Sequence, residues 1–223
     1  MVPMVWGVSA PFPNGGAMAA RLPGSMRIMR ADFSPAGASV PVRLCEGALD
    51  RGCTMDCMTD RYIEVSLVKR AVHCTAKLLD DRAPRTCEAV WEALPLSGDV
   101  YHAKYARNEI YALLSPFAER EPPLENPTVT PIPGDLCYFS FSGTELATKA
   151  YGYESGSGVR AGATVVDLAL FYERNNLLLN GDVGWVPGIV WGQVVEGLDT
   201  MAEACNDLWR SGALGEALRF ARL

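Results

Sequence analysis

The sequence predicts a mainly β domain, a closed antiparallel barrel with two capping α-helices. Short segments rich in β-branched and aromatic residues follow one another with tight turns between them, which is the pattern of β-hairpins. Apolar residues recur at helical spacing in two places only. About eight strands with two helices fit a closed barrel, because closure removes the exposed edges of an open antiparallel sheet.

The strands are predicted from this alternation. Residues 62–68 and 71–78 form a hairpin around Lys69-Arg70, and residues 99–105 and 109–114 form a second hairpin around Arg107-Asn108. A Pro-rich loop over residues 116–133 follows. Further strands are predicted at residues 136–141, 146–153, 164–172 and 216–223.

The two helices are predicted at residues 84–94 and 199–210. Pro84 opens the first helix, whose apolar face carries Cys87, Val90, Trp91 and Leu94 at i, i+3, i+4 and i+7. The second helix is expected to point Met201, Cys205, Leu208 and Trp209 inward, and Gly212 ends it.

Residues 1–58 differ from the rest of the chain. Pro and Gly interrupt every periodic run there before it reaches the length of a helix or strand. We expect this segment to be disordered, or to be a mis-called N-terminal extension with translation starting at Met55 or Met58. The barrel domain is predicted over residues 59–223.

Composition excludes several classes of protein. The net charge of −6 and the lack of a basic stripe argue against nucleic acid and anionic membranes as partners. No apolar run reaches the roughly 18 residues of a spanning helix, so we expect a cytoplasmic protein.

Seven cysteines without C-x-x-C spacing predict reduced thiols, with no metal site and no cofactor. Cys74, Cys87, Cys137 and Cys205 sit within apolar patterns and are expected to be buried.

Two motifs resemble the cyclophilin superfamily. Residues 190–201, VWGQVVEGLDTM, resemble the cyclophilin strand that enters its second helix, and residues 83–94, APRTCEAVWEAL, resemble its first helix. Within that superfamily the chain is most similar to the bacterial DUF3830 family, through residues 125–128, 133–135 and 176–185. The resemblance implies a cyclophilin-like barrel, and a fold does not by itself define an activity.

The stretch where a cyclophilin isomerase carries its catalytic arginine departs from the family pattern. The isomerase pattern is F-H-R-x-x-P, whereas residues 101–107 read YHAKYAR, with Ala103 at the arginine position. Lys104 does not replace it, because an ammonium lacks the planar fork of a guanidinium. A peptidyl-prolyl isomerase or peptide-binding module is therefore the alternative function, not the first.

Polar residues near the second hairpin form the candidate site. His102 and Glu109 are the candidate catalytic residues, because a carboxylate beside an imidazole can make it a general base. Candidate ligand-binding residues are Lys104, Asn108, Glu125, Asn126 and Trp185. The site requires these side chains to face one cavity of at least about 300 Å³. The competing interpretations are a solvated strand face for His102 and Lys104, a turn at Asn126 and a core position for Trp185.

The predicted function is the binding or conversion of a small molecule in a cleft on the barrel. An amide or ureide is suggested by resemblance, since cyclophilin-like domains occur in subunits of allophanate and oxoproline hydrolases. A non-catalytic subunit of a larger hydrolase assembly is a further alternative. Whether the protein is an enzyme stays open, and a homo-oligomer is compatible with each alternative.

Overall fold

The computed structural model describes residues 60–141 and 164–223. The predictions for residues 1–58 and for a strand at residues 146–153 lie outside this part of the chain. The helices are α1 (Pro84–Ala93) and α2 (Leu198–Ser211). The strands are β1 (Tyr62–Leu67), β2 (Val72–Leu78), β3 (Leu96–His102), β4 (Glu109–Leu114), β5 (Pro127–Thr128), β6 (Asp135–Phe141), β7 (Val165–Phe171), β8 (Leu179–Asn180), β9 (Gly184–Trp185), β10 (Gly188–Glu196) and β11 (Ala217–Arg222).

Eight strands close into an antiparallel barrel, as the sequence predicts. Their order is β2-β1-β11-β3-β4-β7-β6-β10, and β10 pairs with β2 to complete the ring. β5 adds to β10 where Gly188 pairs with Thr128, and β8 and β9 form a separate two-stranded hairpin. The mainly β prediction is confirmed, and both helices lie within one or two residues of their predicted bounds.

The barrel interior is filled by alternate residues of each strand. In β1 the side chains of Ile63, Val65 and Leu67 are fully buried, as the period of two along a strand requires. Trp191 of β10 is also fully buried. Met201, Cys205 and Leu208 pack α2 onto this core. The four cysteines predicted to be buried are buried, free thiols.

The prediction that Trp209 points inward is wrong. Its side chain is 64% exposed and does not point into the core. Around the helix, residue 209 lies about 100° from Leu208 and about 40° from Cys205, at the edge of the buried face and in the last turn of α2. Its indole lies instead beside the ring of His102, at a centroid distance of 4.9 Å.

β3 begins earlier and ends earlier than predicted. It starts at Leu96, because pairing with β11 extends from Leu96 opposite Phe220 to Asp99 opposite Ala217. Gly98 therefore lies inside the strand, where an added Cβ would come within 3.2 Å of Leu114. After His102 the chain leaves the strand, so the alternation expected through residue 105 does not continue.

The central strands of the sheet are buried on both faces. All seven residues of β7 and the first five of β6 are buried. Their inward side chains fill the barrel, while Phe139, Ala169 and Phe171 face outward and pack against Leu178 and Val186. This outer apolar layer lies between the sheet and the segment that follows β7. It forms the setting of the candidate site.

None of the helices in the described ranges is long and apolar enough to cross a membrane.

Gly197→Ala is expected to destabilise the fold. Gly197 lies between β10 and α2 with φ of +80°, and an added Cβ would be 3.1 Å from the His73 carbonyl oxygen. The left-handed conformation alone costs roughly 1–2 kcal/mol for a residue with a Cβ. Gly181→Ala is the matched control, because nothing lies within 4 Å of its Cβ position. Chemical unfolding of both variants measures the difference; equal loss in both contradicts the prediction.

Candidate functional site

A cleft of about 360 Å³ lies on the outer face of the barrel. Its floor comes from β4, β6 and β7, and its walls come from residues 103–106 and 177–187. Most of the lining is apolar or aromatic, contributed by Ala103, Ala106, Tyr111, Phe139, Phe141, Leu177, Leu178, Leu179, Val183, Trp185, Val186 and Pro187. A concave, mainly apolar cavity with few polar groups is the usual form of a small-molecule site.

Two carboxyl groups, Glu109 of β4 and Asp167 of β7, line this cleft. These strands pair with Glu109 opposite Phe171 and Leu113 opposite Asp167. Because residues two apart share a face, both acids point to the outer face, away from the barrel interior. Each residue is only 6% exposed.

Burial changes the acidity of both groups. It raises the pKa of the Glu109 carboxyl to about 8. Burial, followed by the nearby charge of Glu109, raises the pKa of Asp167 well above its usual range. Asp167 Oδ1 is buried and has no hydrogen-bond partner. At neutral pH the cleft therefore keeps at least one proton on these two groups.

Two buried carboxyl groups in one cavity can do two things chemically, depending on whether each is protonated or ionised. The acid can donate a hydrogen bond, and the carboxylate can accept one. Together they can also act as general acid and general base, since their environment brings the pKa values toward neutrality. Within residues 60–141 and 164–223, no cluster of His, Cys, Asp and Glu is arranged to hold a metal ion.

Of the residues predicted from the sequence, Glu109, Lys104 and Trp185 line the cleft together. Lys104 lies just after β3, and Trp185 lies on β9. Trp185 is 59% exposed, so its alternative interpretation as a core residue is wrong. Whether Trp185 and Lys104 bind a ligand stays a prediction.

His102 does not line the cleft, which corrects the proposed pairing with Glu109. In the register His102 lies opposite Ile110, a fully buried core residue, so the two share the face opposite to Glu109. His102 Nδ1 lies 3.1 Å from the Ala103 carbonyl oxygen, which only accepts, so Nδ1 carries the proton. Nε2 then accepts from the Tyr172 hydroxyl at 2.6 Å. Burial lowers the pKa of His102, and with both nitrogens bonded it has a structural role.

Glu125 caps a helix and does not line the cleft. Its carboxylate accepts hydrogen bonds from the backbone N–H groups of Arg85 and Thr86, at 3.1 and 3.0 Å, and from the Thr86 hydroxyl. These amides belong to the first turn of α1, whose own N-cap residue, Ala83, makes no side-chain bond. A negative charge is favourable at this end of a helix.

Asn126 and Asn108 also hold the backbone and lie outside the cleft lining. Asn126 has φ of +40°, and its side chain donates to the Val190 carbonyl at 2.8 Å. Asn108 donates from its side chain to the Arg174 carbonyl at 2.7 Å. The expected single cleft containing His102, Asn108, Glu125 and Asn126 is therefore wrong.

Asp167 is the site residue that the sequence analysis misses. It sits in the segment VVDLALF, which predicts a buried strand. The available signal is the acid itself, since a carboxylate is almost never fully buried unless it is paired. An acid in the middle of an apolar strand is therefore a candidate site residue.

A match to a known protein family covers most of the barrel domain. Residues 65–220 match the family described as "Protein of unknown function (DUF3830)". The chain belongs to the DUF3830 family. The match runs from β1 to β11 and includes both carboxyl residues of the cleft, and the resemblance to DUF3830 expected from the sequence is confirmed.

Among solved structures, this DUF3830 protein is similar to McbB, whose structure was determined in complex with tryptophan. The two are 20% identical with a TM-score of 0.46. The similarity covers 72% of this chain and 44% of the McbB chain, so this chain spans less than half of that protein. Comparison with curated proteins gives no match.

The double variant Glu109→Gln/Asp167→Asn is expected to be more stable than the wild type at pH 8. Above pH 4.5 the unfolded chain releases the Glu109 proton, while the folded protein keeps it up to about pH 8. The folded state binds more protons in this window, so wild-type stability falls as the pH rises through it. The neutral amides remove this dependence.

Urea unfolding at pH 5 and pH 8 measures this effect. The matched control is Glu92→Gln/Asp182→Asn, which makes the same charge change at two exposed residues. We expect the control to keep the wild-type decrease in stability between the two pH values. If the wild type and the cleft variant show the same decrease, the two carboxyl groups ionise normally in the folded protein.

Proposed function

We propose that the protein binds a small, uncharged molecule of amide or ureide type in the outer cleft. The observation that carries this proposal is the buried, unpartnered Oδ1 of Asp167 in a cavity with apolar walls. A buried polar atom without a partner costs roughly 1–3 kcal/mol. Such a cost is expected at a binding site, where a ligand supplies the missing hydrogen bond.

The dimensions of the cleft support a small ligand. Its volume of about 360 Å³ lies near the lower end of the range for small-molecule sites, roughly 300–1,000 Å³. Aromatic side chains such as Phe139, Phe141 and Trp185 supply flat apolar surfaces. The ligand that fits has an apolar or planar body and one polar group that reaches the buried Oδ1 of Asp167.

No observation favours the alternative of a peptidyl-prolyl isomerase. Ala103 lines the cleft, and Lys104 is the one cationic residue in the described lining. A guanidinium that could polarise a prolyl amide is absent from that part of the site. A non-catalytic subunit of a hydrolase assembly, a homo-oligomer and a cytoplasmic location stay predictions.

The proposal predicts that uncharged amides and ureides raise the thermal midpoint of the protein. Benzamide, phenylurea and hydantoin form a suitable panel, because each joins an apolar or planar body to an amide-type edge. A ligand at 100 times its dissociation constant adds about 2.7 kcal/mol to the folded state. Trp185→Ala is expected to reduce the shift, because it removes a wall of the cleft.

Trp209→Ala is the matched control, since Trp209 is equally exposed, at 64% against 59%, and lies outside the cleft. It should keep the wild-type shift. If no member of the panel changes the midpoint at millimolar concentration, the proposed function is wrong. If both tryptophan variants lose the shift equally, the ligand binds elsewhere on the protein.

A further inference from the structure

One aromatic residue of the cleft floor, Phe139, lies between an acid and a glycine. On β6 it pairs with Asp167 of β7. On its other side lies Gly188 of β10, since the next residue, Ile189, pairs with Tyr138. Directly opposite residues of antiparallel strands share a face, with Cβ atoms about 4.5–5.5 Å apart. The direction in which the Phe139 ring leans therefore decides whether it covers Asp167.

The ring of Phe139 leans over Gly188. A Cβ added at Gly188 would lie 2.7 Å from both Cε1 and Cζ of Phe139, and 3.3 Å from Cβ of Cys137. Real Cβ atoms essentially never come within 3.0 Å of such a neighbour, so the ring occupies the space that a side chain at position 188 would need. The tip of the ring thus lies on the β10 side of β6, away from Asp167.

The backbone at Gly188 does not itself require glycine. Its φ lies outside the left-handed range, and the residue pairs regularly with Thr128 of β5. A glycine inside a strand weakens the strand and often marks a place where another group approaches closely. Here the approaching group is the Phe139 ring. The physical reason for glycine at this position is therefore room for that ring.

The lean of the ring leaves the acid on the cleft side. Phe139 and Asp167 both line the cleft, and Asp167 Oδ1 is buried without a hydrogen-bond partner. A carboxylate accepts hydrogen bonds at both oxygens, and a protonated carboxyl group still accepts at its C=O oxygen. The acid can thus accept from a ligand N–H in either form. A ring that leaned toward β7 would fill the space through which that N–H approaches.

We infer that Gly188 is a positioning residue of the cleft. It lets the Phe139 ring lean toward β10, which keeps Asp167 Oδ1 open to the N–H of a planar ligand. A side chain at position 188 would push the ring toward the acid and close that space. The inference rests on the proposed function for its ligand, and it adds which residue sets the room at the acid.

The neighbours of Phe139 restrict where a displaced ring can go. Phe141, two residues further along β6, holds its ring nearly parallel, with an interplanar angle of 10° and a centroid distance of 5.9 Å. Cys137, two residues before, is fully buried in the same outer layer. Both directions along the strand are thus occupied. Displacement away from β10 takes the ring toward Asp167.

Gly188→Ala tests the inference, with benzamide and phenylurea as probes. Calorimetric titration of the full chain should show an affinity for each probe about tenfold below that of the wild type, the effect of losing one hydrogen bond to a buried group. Gly98→Ala is the matched control. It also adds a Cβ inside a strand against the end of a side chain, 3.2 Å from Leu114 Cδ2, but lies outside the cleft lining. It should keep the wild-type affinity.

Phe139→Leu shows whether the effect passes through the ring. Leucine lacks the ring atoms Cε1 and Cζ that would collide with a Cβ at position 188. In the Phe139→Leu background, Gly188→Ala should therefore change the affinity by no more than about twofold, as for substitutions that act independently. An equal loss in both backgrounds overturns the inference, because alanine would then act on the structure without the ring. Wild-type affinity in Gly188→Ala overturns it as well.

The ring position is measured without ligand by nuclear Overhauser effects in protein labelled with carbon-13 phenylalanine. In the wild type the ζ proton of Phe139 should be nearer the α protons of Gly188 than the β protons of Asp167. Gly188→Ala should bring it nearer Asp167. The wild-type measurement decides even if the variant does not fold. A wild-type ring nearer Asp167, or an unmoved ring in the folded variant, contradicts the inference.

The outcomes distinguish this inference from the proposed function. If the probes bind the wild type and Gly188→Ala equally well, the cleft is a ligand site but Gly188 does not set the room at Asp167. If the ring moves as expected and no member of the amide and ureide panel binds the wild type, Gly188 positions Phe139 and the proposed function fails.

Discussion

The pairing of β10 with β2 is the interaction on which the barrel depends. Gly192 lies opposite Leu78 and Gln193 opposite Lys77, while the other edge of β10 pairs with β6. An added Cβ on Gly192 would lie 3.0 Å from Leu136 and 3.3 Å from the Lys77 carbonyl oxygen, so the close approach requires glycine. Without this pairing, β2 and β10 would both expose unpaired backbone groups.

The same strand also connects the barrel to α1. Trp191 is fully buried, and its carbonyl oxygen accepts hydrogen bonds from the Leu79 N–H at 2.8 Å and from the Cys87 thiol at 3.1 Å. An eight-stranded barrel is just wide enough for its own side chains to fill the interior. Buried side chains of the described strands pack in this interior, and a cleft of about 360 Å³ lies on the outer face.

The sequence predicts the elements of this fold better than their faces. The hairpins and both helices follow from local patterns, because burial on one side of a strand or helix repeats with a fixed period. Alternation cannot tell the inside of a barrel from its covered outside, so it does not show which of these two faces His102 or Glu109 occupies. The register puts them on opposite faces. The roles of Glu125 and Asn126 depend on partners 39 to 64 residues away, which no local pattern contains.

The two acidic residues lie on the side of the sheet opposite to the barrel core. The free-energy cost of burying their carboxyl groups therefore does not fall within that core. Glu109 and Asp167 face the outer layer, whereas their neighbours Ile110 and Leu168 fill the barrel interior. Protonation lowers the free-energy cost of burying the carboxyl groups, because a neutral acid is far easier to bury than a carboxylate. The interior side chains can thus hold the sheet together while the outer face carries the buried, unpartnered Oδ1 of Asp167. The barrel core and the cleft lie on opposite faces of the same two strands, so the cleft can change its chemistry without a change of fold.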